Sequence, residues 1–269
     1  MRLTALAKPL PQSQSLPQSQ SLRQSLALCL SLCLPLPALA QDDDYAKLGP
    51  DAVAITQDMA YLRTAEAPDY WAFAPFVKPQ FTSSACSIAS VTAALNGLAG
   101  LPPMASQTVM SQPDLLDLTG VPLWSDLSAE GGDGVTFQQL VDFTGAALAA
   151  RDMGAYAVIP FQPIVAGEME TTRLREILTG NEASAADVAL VYFNQGVVTG
   201  DWDGPHISLI GAYDAARDRV LILEVDQDWY IPYWTPLPVL MAALVKPTSA
   251  EHGPLEGEVG GLVLIQPQG

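Results

Sequence analysis

Residues 206–226 read HISLIGAYDAARDRVLILEVD. Two apolar, β-branched runs flank a polar break. His206 to Tyr213 and Arg219 to Asp226 each have the length of a strand. DAARD between them is a turn, so the pair predicts an antiparallel hairpin. Upstream, DVALVYFNQ (Asp187 to Gln195) predicts a third, buried strand. The N-terminal half has a different period. In TSSACSIASVTAALNGLAG, residues 82–100, Ile88, Val91, Leu95 and Leu98 recur at helical spacing. Ser83 and Ser84 are the expected N-caps, and Asn96-Gly97 and Gly100 the stop signals. VTFQQLVDFTGAALAA, residues 135–150, predicts a second helix capped by Thr136, and LPVLMAALVK, residues 237–246, a third. A short helix is expected around Asp58–Thr64. Tyr70 to Phe81 is expected to be extended and irregular, and Leu101 to Gly134 a long surface connection. Helices first and antiparallel strands later give an α+β fold.

The chain has 269 residues, 29 acidic against 12 Lys or Arg, and a formal charge of −17. A nucleic-acid binder needs a basic footprint to release phosphate counterions, so that class is excluded. Residues 1–40 differ from the rest. Pro9 to Gln24 is a Pro/Gln/Ser low-complexity run, which cannot build a core. Arg23 then precedes a short apolar stretch ending in Ala38-Leu39-Ala40, the pattern of a secretory signal peptide. Pro35, Pro37 and the shortness of the stretch argue against a membrane span. The expectation is a leader cleaved near Ala40, a single domain over residues 41–269, and a periplasmic location. Cys29 and Cys33 would leave with the leader. Cys86 would remain as a lone thiol in an oxidising compartment, where it is reactive or inert according to its surroundings.

Those surroundings favour reactivity. Cys86 falls in the first turn of the helix that opens near residue 84, where unpaired N–H groups and the helix dipole favour a thiolate. Such a nucleophile needs a base. The chain has two histidines. His252 lies in a Gly/Pro-rich stretch and looks solvated, whereas His206 opens a core strand. A base needs an orienting acid. Glu224 and Asp226 share a face of the partner strand, and periodicity leaves both open. No G-x-S-x-G elbow or P-loop is present, and DWDG (Asp201 to Gly204) lacks the closing Glu of a calcium loop. Two histidines and one remaining cysteine do not make an ordinary zinc site, so no metal site is expected.

These residues resemble a known family. A His, a Ser, an apolar pair, Gly or Ala, Tyr, a turn, an apolar strand ending in an acid, then Tyr-x-Pro-x-Trp is the pattern of phytochelatin synthases. Here His206, Ser208, Tyr213, Glu224, Tyr230, Pro232 and Trp234 stand in that register. PQFTSSACSIASVTAALNGL is similar to the family's nucleophile helix, with Gln80 in the place of the oxyanion-hole Gln and Asn96 in that of a helix Asn. DGVTFQQLV is similar to a third segment. The resemblance spans most of Phe76 to Leu244. It implies a papain-like cysteine peptidase fold, with the nucleophile helix packed against the antiparallel sheet, and a glutathione γ-glutamylcysteinyltransferase. Cys86 would form a γ-glutamylcysteinyl thioester with release of glycine. Water or a second glutathione would then take the acyl group, the latter giving phytochelatin for metal detoxification. No cofactor is implied; cadmium or zinc would enter as a thiolate complex of the substrate. Gln227, Trp229 and Tyr230 fall in the segment expected to meet the substrate. The chain departs from the pattern at Glu224 (Asp in the family), Ser87 and Pro205 (Gly), and Gln227 and Trp229 (basic residues). The departures leave two alternatives: an exported papain-like hydrolase of a different small peptide, or a non-catalytic binding protein.

Overall fold

A computed structural model describes residues 47–104 and 106–268. The expected leader, its cleavage near Ala40 and the start of the domain at residue 41 lie outside the described residues.

Among the described residues, seven strands form one antiparallel sheet in the order β1-β6-β5-β4-β3-β7-β2. They are β1 (Val53–Ala54), β2 (Tyr156–Phe161), β3 (Val188–Asn194), β4 (Pro205–Asp214), β5 (Arg219–Leu223), β6 (Tyr233–Pro236) and β7 (Gly261–Pro267). Strand β3 is buried at every position, because helices cover both faces of the sheet. Its side chains alternate between two cores. Leu190 and Tyr192 join a core built with helices α3 (Cys86–Ala99) and α6 (Phe137–Ala150). Ala189, Val191 and Phe193 join a second, with α7 (Glu168–Asn181) and α9 (Leu237–Val245). Fully burying a Leu, Val or Phe side chain stabilises by about 1.5–3 kcal/mol, so these two layers dominate the fold energy. Among the described residues, no helix is long and apolar enough to cross a membrane.

The α+β reading holds, and the hairpin β4–β5 forms as the sequence predicts. Several local expectations need correction. Tyr70 to Phe81 is partly helical: α2 spans Pro68–Phe73, with Pro at its N-terminus, and a 3-10 turn follows at Ala74–Phe76. The supposed connection 101–134 contains α4 (Gln112–Thr119) and α5 (Pro122–Leu127). Helix α4 opens with a reciprocal capping box between Ser111 and Asp114. Strands β2, β6 and β7 and helices α7 and α8 (Gln195–Thr199) were also not foreseen. The strand expected to run to Asp226 stops at Leu223, because Asp226 opens a turn whose carbonyl accepts from the N–H groups of Trp229 and Tyr230. The short helix near Asp58 is α1 (Ala60–Thr64).

A register shift between Ile210 and Ala212 sets the end of the hairpin. Gly211 sits there, and a Cβ would meet Leu223 at 2.5 Å. Beyond it Leu209 pairs with Leu223, which brings Ser208 opposite Glu224. His206 is two residues from Ser208, so it shares that face and lies diagonally within reach of Glu224.

Candidate active site

Cys86 is the first residue of α3 and half-buried. The N-cap residue is Ala85, and no side chain caps the helix. Ser83 and Ser84 therefore do not act as the expected caps. Ser83 Oγ donates to Glu130 at 2.9 Å and Ser84 Oγ to the Gly132 carbonyl at 2.6 Å. Thr82 Oγ1 donates to the Ser128 carbonyl at 2.6 Å. The loop after α5 thus pins the approach to the nucleophile helix, and the first N–H groups of α3 have no acceptor one turn back.

Two further bonds fix α3. Trp124 Nε1 donates to the buried Ser87 hydroxyl at 2.9 Å. Ser90 Oγ donates to the Ile207 carbonyl at 3.1 Å, tying α3 to the strand that holds His206. That placement brings Cys86 and His206 to the wall of one cleft, with the sulfur near enough to influence the imidazole.

His206 is 4% exposed. Its Nε2 lies 2.6 Å from Glu224 Oε1, which leaves Nδ1 for the sulfur. The Phe193 ring stands edge-on to the imidazole at 5.7 Å. Burial opposes charge on this histidine. The Glu224 carboxylate and the Cys86 hydrogen bond outweigh burial and raise the His206 pKa well above its ordinary 6.5.

Of the two acids left open by periodicity, Glu224 meets the ring. It is fully buried. Its Oε1 also accepts from the N–H groups of Val225 and Asp226, each at 2.8 Å. Burial raises its pKa, but the imidazole and these N–H donors prevail, so the pKa is lowered. Asp226 supplies its backbone to Glu224, and its own carboxylate, at the head of the turn, faces the cleft beside His206.

Gln80 N–H donates to the Val225 carbonyl at 2.8 Å, which brings its side chain to the same lobe as Cys86 and His206. Its Nε2 donates to the Ser83 carbonyl at 3.3 Å. Gln227, expected to meet substrate, instead turns its amide onto the Glu224 carbonyl at 3.0 Å. It does not line the cleft. Trp229 is exposed at the rim, and Tyr230 donates its hydroxyl to Asp201 at 2.8 Å.

The cleft has two lobes meeting at Cys86. One, of about 350 Å³, is walled by His206, Gln80, Asp226, Trp229, Tyr230 and Lys47. The other, of about 340 Å³, runs between the Gly132–Val135 loop and His252, with Tyr192 at its floor. Trp202 and Pro205 border both lobes.

Four of these residues escaped the sequence reading. Lys47 reaches the first lobe from far upstream and Trp202 from the DWDG turn. Tyr192 is buried with its hydroxyl unpartnered; its aromatic ring in a strand signalled only core. His252 is not free in solvent. Its Nε2 is 2.7 Å from the Asp203 carbonyl, and its ring stands edge-on to Trp202. Among the described residues, no three His, Cys, Asp or Glu side chains cluster to hold a metal ion.

A thiol at a helix start, an imidazole on a neighbouring strand and a buried carboxylate behind it can attack an amide and return a proton to the leaving nitrogen. A search of curated proteins finds no match to the chain. The family model described as phytochelatin synthase matches residues 55–252, which include Cys86, His206 and Glu224. That family is papain-like and enzymatic, and acts on glutathione by γ-glutamylcysteine transfer. Since the match extends from β1's end through the nucleophile helix and the hairpin to His252, the chain belongs to the phytochelatin synthase family.

Proposed function

We propose that this protein is a glutathione γ-glutamylcysteinyltransferase that uses Cys86 as nucleophile, His206 as general base and acid, and Glu224 as the residue that orients and charges the imidazole. The observation that supports it best is the placement of His206, with Glu224 at 2.6 Å on Nε2 and Cys86 lining the same cleft. An imidazolium beside a sulfur stabilises the thiolate. The sulfur attacks the carbonyl of the cysteinyl residue. The Cys86 N–H and an N–H of the Gln80 amide are the donors for the oxyanion in this reading. His206 gives its proton to the departing nitrogen, glycine leaves and a γ-glutamylcysteinyl thioester remains. Water regenerates the acid; a second glutathione yields a phytochelatin. Cadmium or zinc enters as the thiolate complex of the substrate. The protein does this after export, in the periplasm, once the leader is removed near Ala40.

Incubation of the mature protein with glutathione, with free glycine as the readout, tests the proposal. Wild type releases glycine and Cys86→Ser does not. No release with excess wild-type enzyme rejects glutathione. A thiol probe separates a binding protein from an enzyme: Cys86 that alkylates no faster than a free model thiol near pH 7 has no activating partner.

A further inference from the structure

Glu224 gathers its partners on one oxygen and leaves the other bare. The His206 imidazole and the N–H groups of Val225 and Asp226 all meet Oε1. Oε2 is buried and has no partner. A bare carboxylate oxygen in the interior is costly, so what surrounds it matters. Two further side chains stand there, Tyr233 and Gln195, both fully buried. Strand β6 pairs with β5 so that Tyr233 lies opposite Ile222. Glu224 follows Ile222 by two residues, which sets Tyr233 diagonally beside the carboxylate. Burial raises the Tyr233 pKa, and the nearby Glu224 charge adds to it. Gln195 opens α8, and its N–H donates to the Gly204 carbonyl at 2.8 Å, just ahead of the strand that carries His206.

The Tyr233 hydroxyl donates to Gln195 Oε1 at 3.4 Å, and Gln195 Nε2 has no partner. An O–H···O bond of that length is weak. Three buried side chains thus share one long hydrogen bond, one spare donor and one spare acceptor. Turning the Gln195 amide over serves both. Its Nε2 then donates to the phenol oxygen, and the phenol proton is free for Oε2. An ionised carboxylate is a stronger acceptor than an amide carbonyl.

We propose that Tyr233 is a positioning residue for the acid behind the imidazole: held by the Gln195 amide, its hydroxyl donates to Glu224 Oε2 and fixes the carboxylate in the orientation and charge state that His206 needs. This rests on the Cys86–His206–Glu224 reading above, but not on the identity of the substrate. Tyr233 and Gln195 do not wall the cleft; they act through Glu224.

Tyr233→Phe in the mature protein tests it. The charged groups that face Glu224 are His206 and the Asp226 carboxylate, and the variant keeps both. Loss of a donor favours the protonated acid, so the acid limb of the site moves to higher pH. The rate of Cys86 alkylation followed against pH reads that limb without a substrate. The expected shift is about one pH unit, the equivalent of a tenfold loss of one hydrogen bond to a charge. Glycine release from glutathione should lose about tenfold in kcat with KM little changed. Gln195→Met should move the limb the same way by less, and the double variant should match Tyr233→Phe alone, since the two residues act as a unit. An alkylation limb that stays at the wild-type pH in Tyr233→Phe overturns the proposal, even if the rate falls, because a packing defect does not move a proton. Shifts that add in the double variant overturn the part given to Gln195. A wild-type protein that releases no glycine rejects glutathione as substrate, and the alkylation profile still decides on Tyr233.

Discussion

Among the described residues, Glu224 and Asp69 are the most deeply buried carboxylates, and their charges go opposite ways. Glu224, behind the imidazole, is 0% exposed and has its pKa lowered. Asp69, in α2, is 1% exposed and has its pKa pushed up to about 9. Burial is nearly equal, so burial does not decide ionisation. Neighbours do. Glu224 has an imidazole and two backbone N–H groups on one oxygen. Asp69 has only the Asn181 amide, with the negative charges of Glu182 and Asp187 nearby. One pocket is built to hold a charge, the other a neutral acid.

The largest effect that would break this comparison is at Glu224. Glu224→Gln keeps the size of the side chain and removes its charge. Glycine release at pH 7 should fall by at least about a hundredfold, and the pH at which His206 loses its proton should drop. An amide variant within twofold of wild type would show that position, not charge, is what matters there.

Asp69 should respond in the reverse sense. Its folded pKa is raised, so its stabilising share is complete below the unfolded value of 3.8 and is lost as pH climbs toward about 9. Asp69→Asn mimics the neutral acid. The melting temperatures of variant and wild type should lie closest below about pH 4, and the variant's advantage should widen steadily as pH rises to about 9. Asp69→Ala leaves Asn181 without its partner and should cost about 1–3 kcal/mol by denaturant titration. An Asn variant that tracks wild type across the whole pH range would mean that Asp69 is charged after all.

Smaller effects sharpen the contrast. Tyr61 donates its hydroxyl to Glu182 at 2.9 Å, next to Asp69. Tyr61→Phe should cost about 1 kcal/mol, more at high pH, because Glu182 then faces Asp69 with one donor fewer. Trp124→Phe strips the donor from Ser87 without touching a charge, so its cost, also about 1 kcal/mol, should not depend on pH.

The sequence made the candidate site of Cys86, His206 and Glu224 legible because its signals are local. Cys86 announces itself through a helix start, and His206 and Glu224 through a hairpin whose turn and strand lengths fix which face they share. The choice between Glu224 and Asp226 was not legible, since it depends on where the strand stops and the turn begins. Lys47 was invisible for a plain reason: its partner Asp201 is 154 residues away. The missed elements follow the same division. Helix α7 buries only Leu174, Leu178 and Asn181, an apolar stripe too narrow to stand out. Helix α4 did have a signal, Ser111 followed three residues later by Asp114, hidden in a Pro-rich stretch. Strand β2 is an edge strand interrupted by Pro160, and β7 is an apolar run whose meaning comes only from the strands beside it.

The position of β7 between β3 and β2 has a consequence for biosynthesis. Both neighbours are translated well before residues 261–267 exist. Until then β3 has a bare edge and β2 has nothing to pair with, since its ladder runs entirely to β7. A nascent chain lacking those residues cannot close its sheet. Folding of this sheet therefore completes only when synthesis is nearly finished.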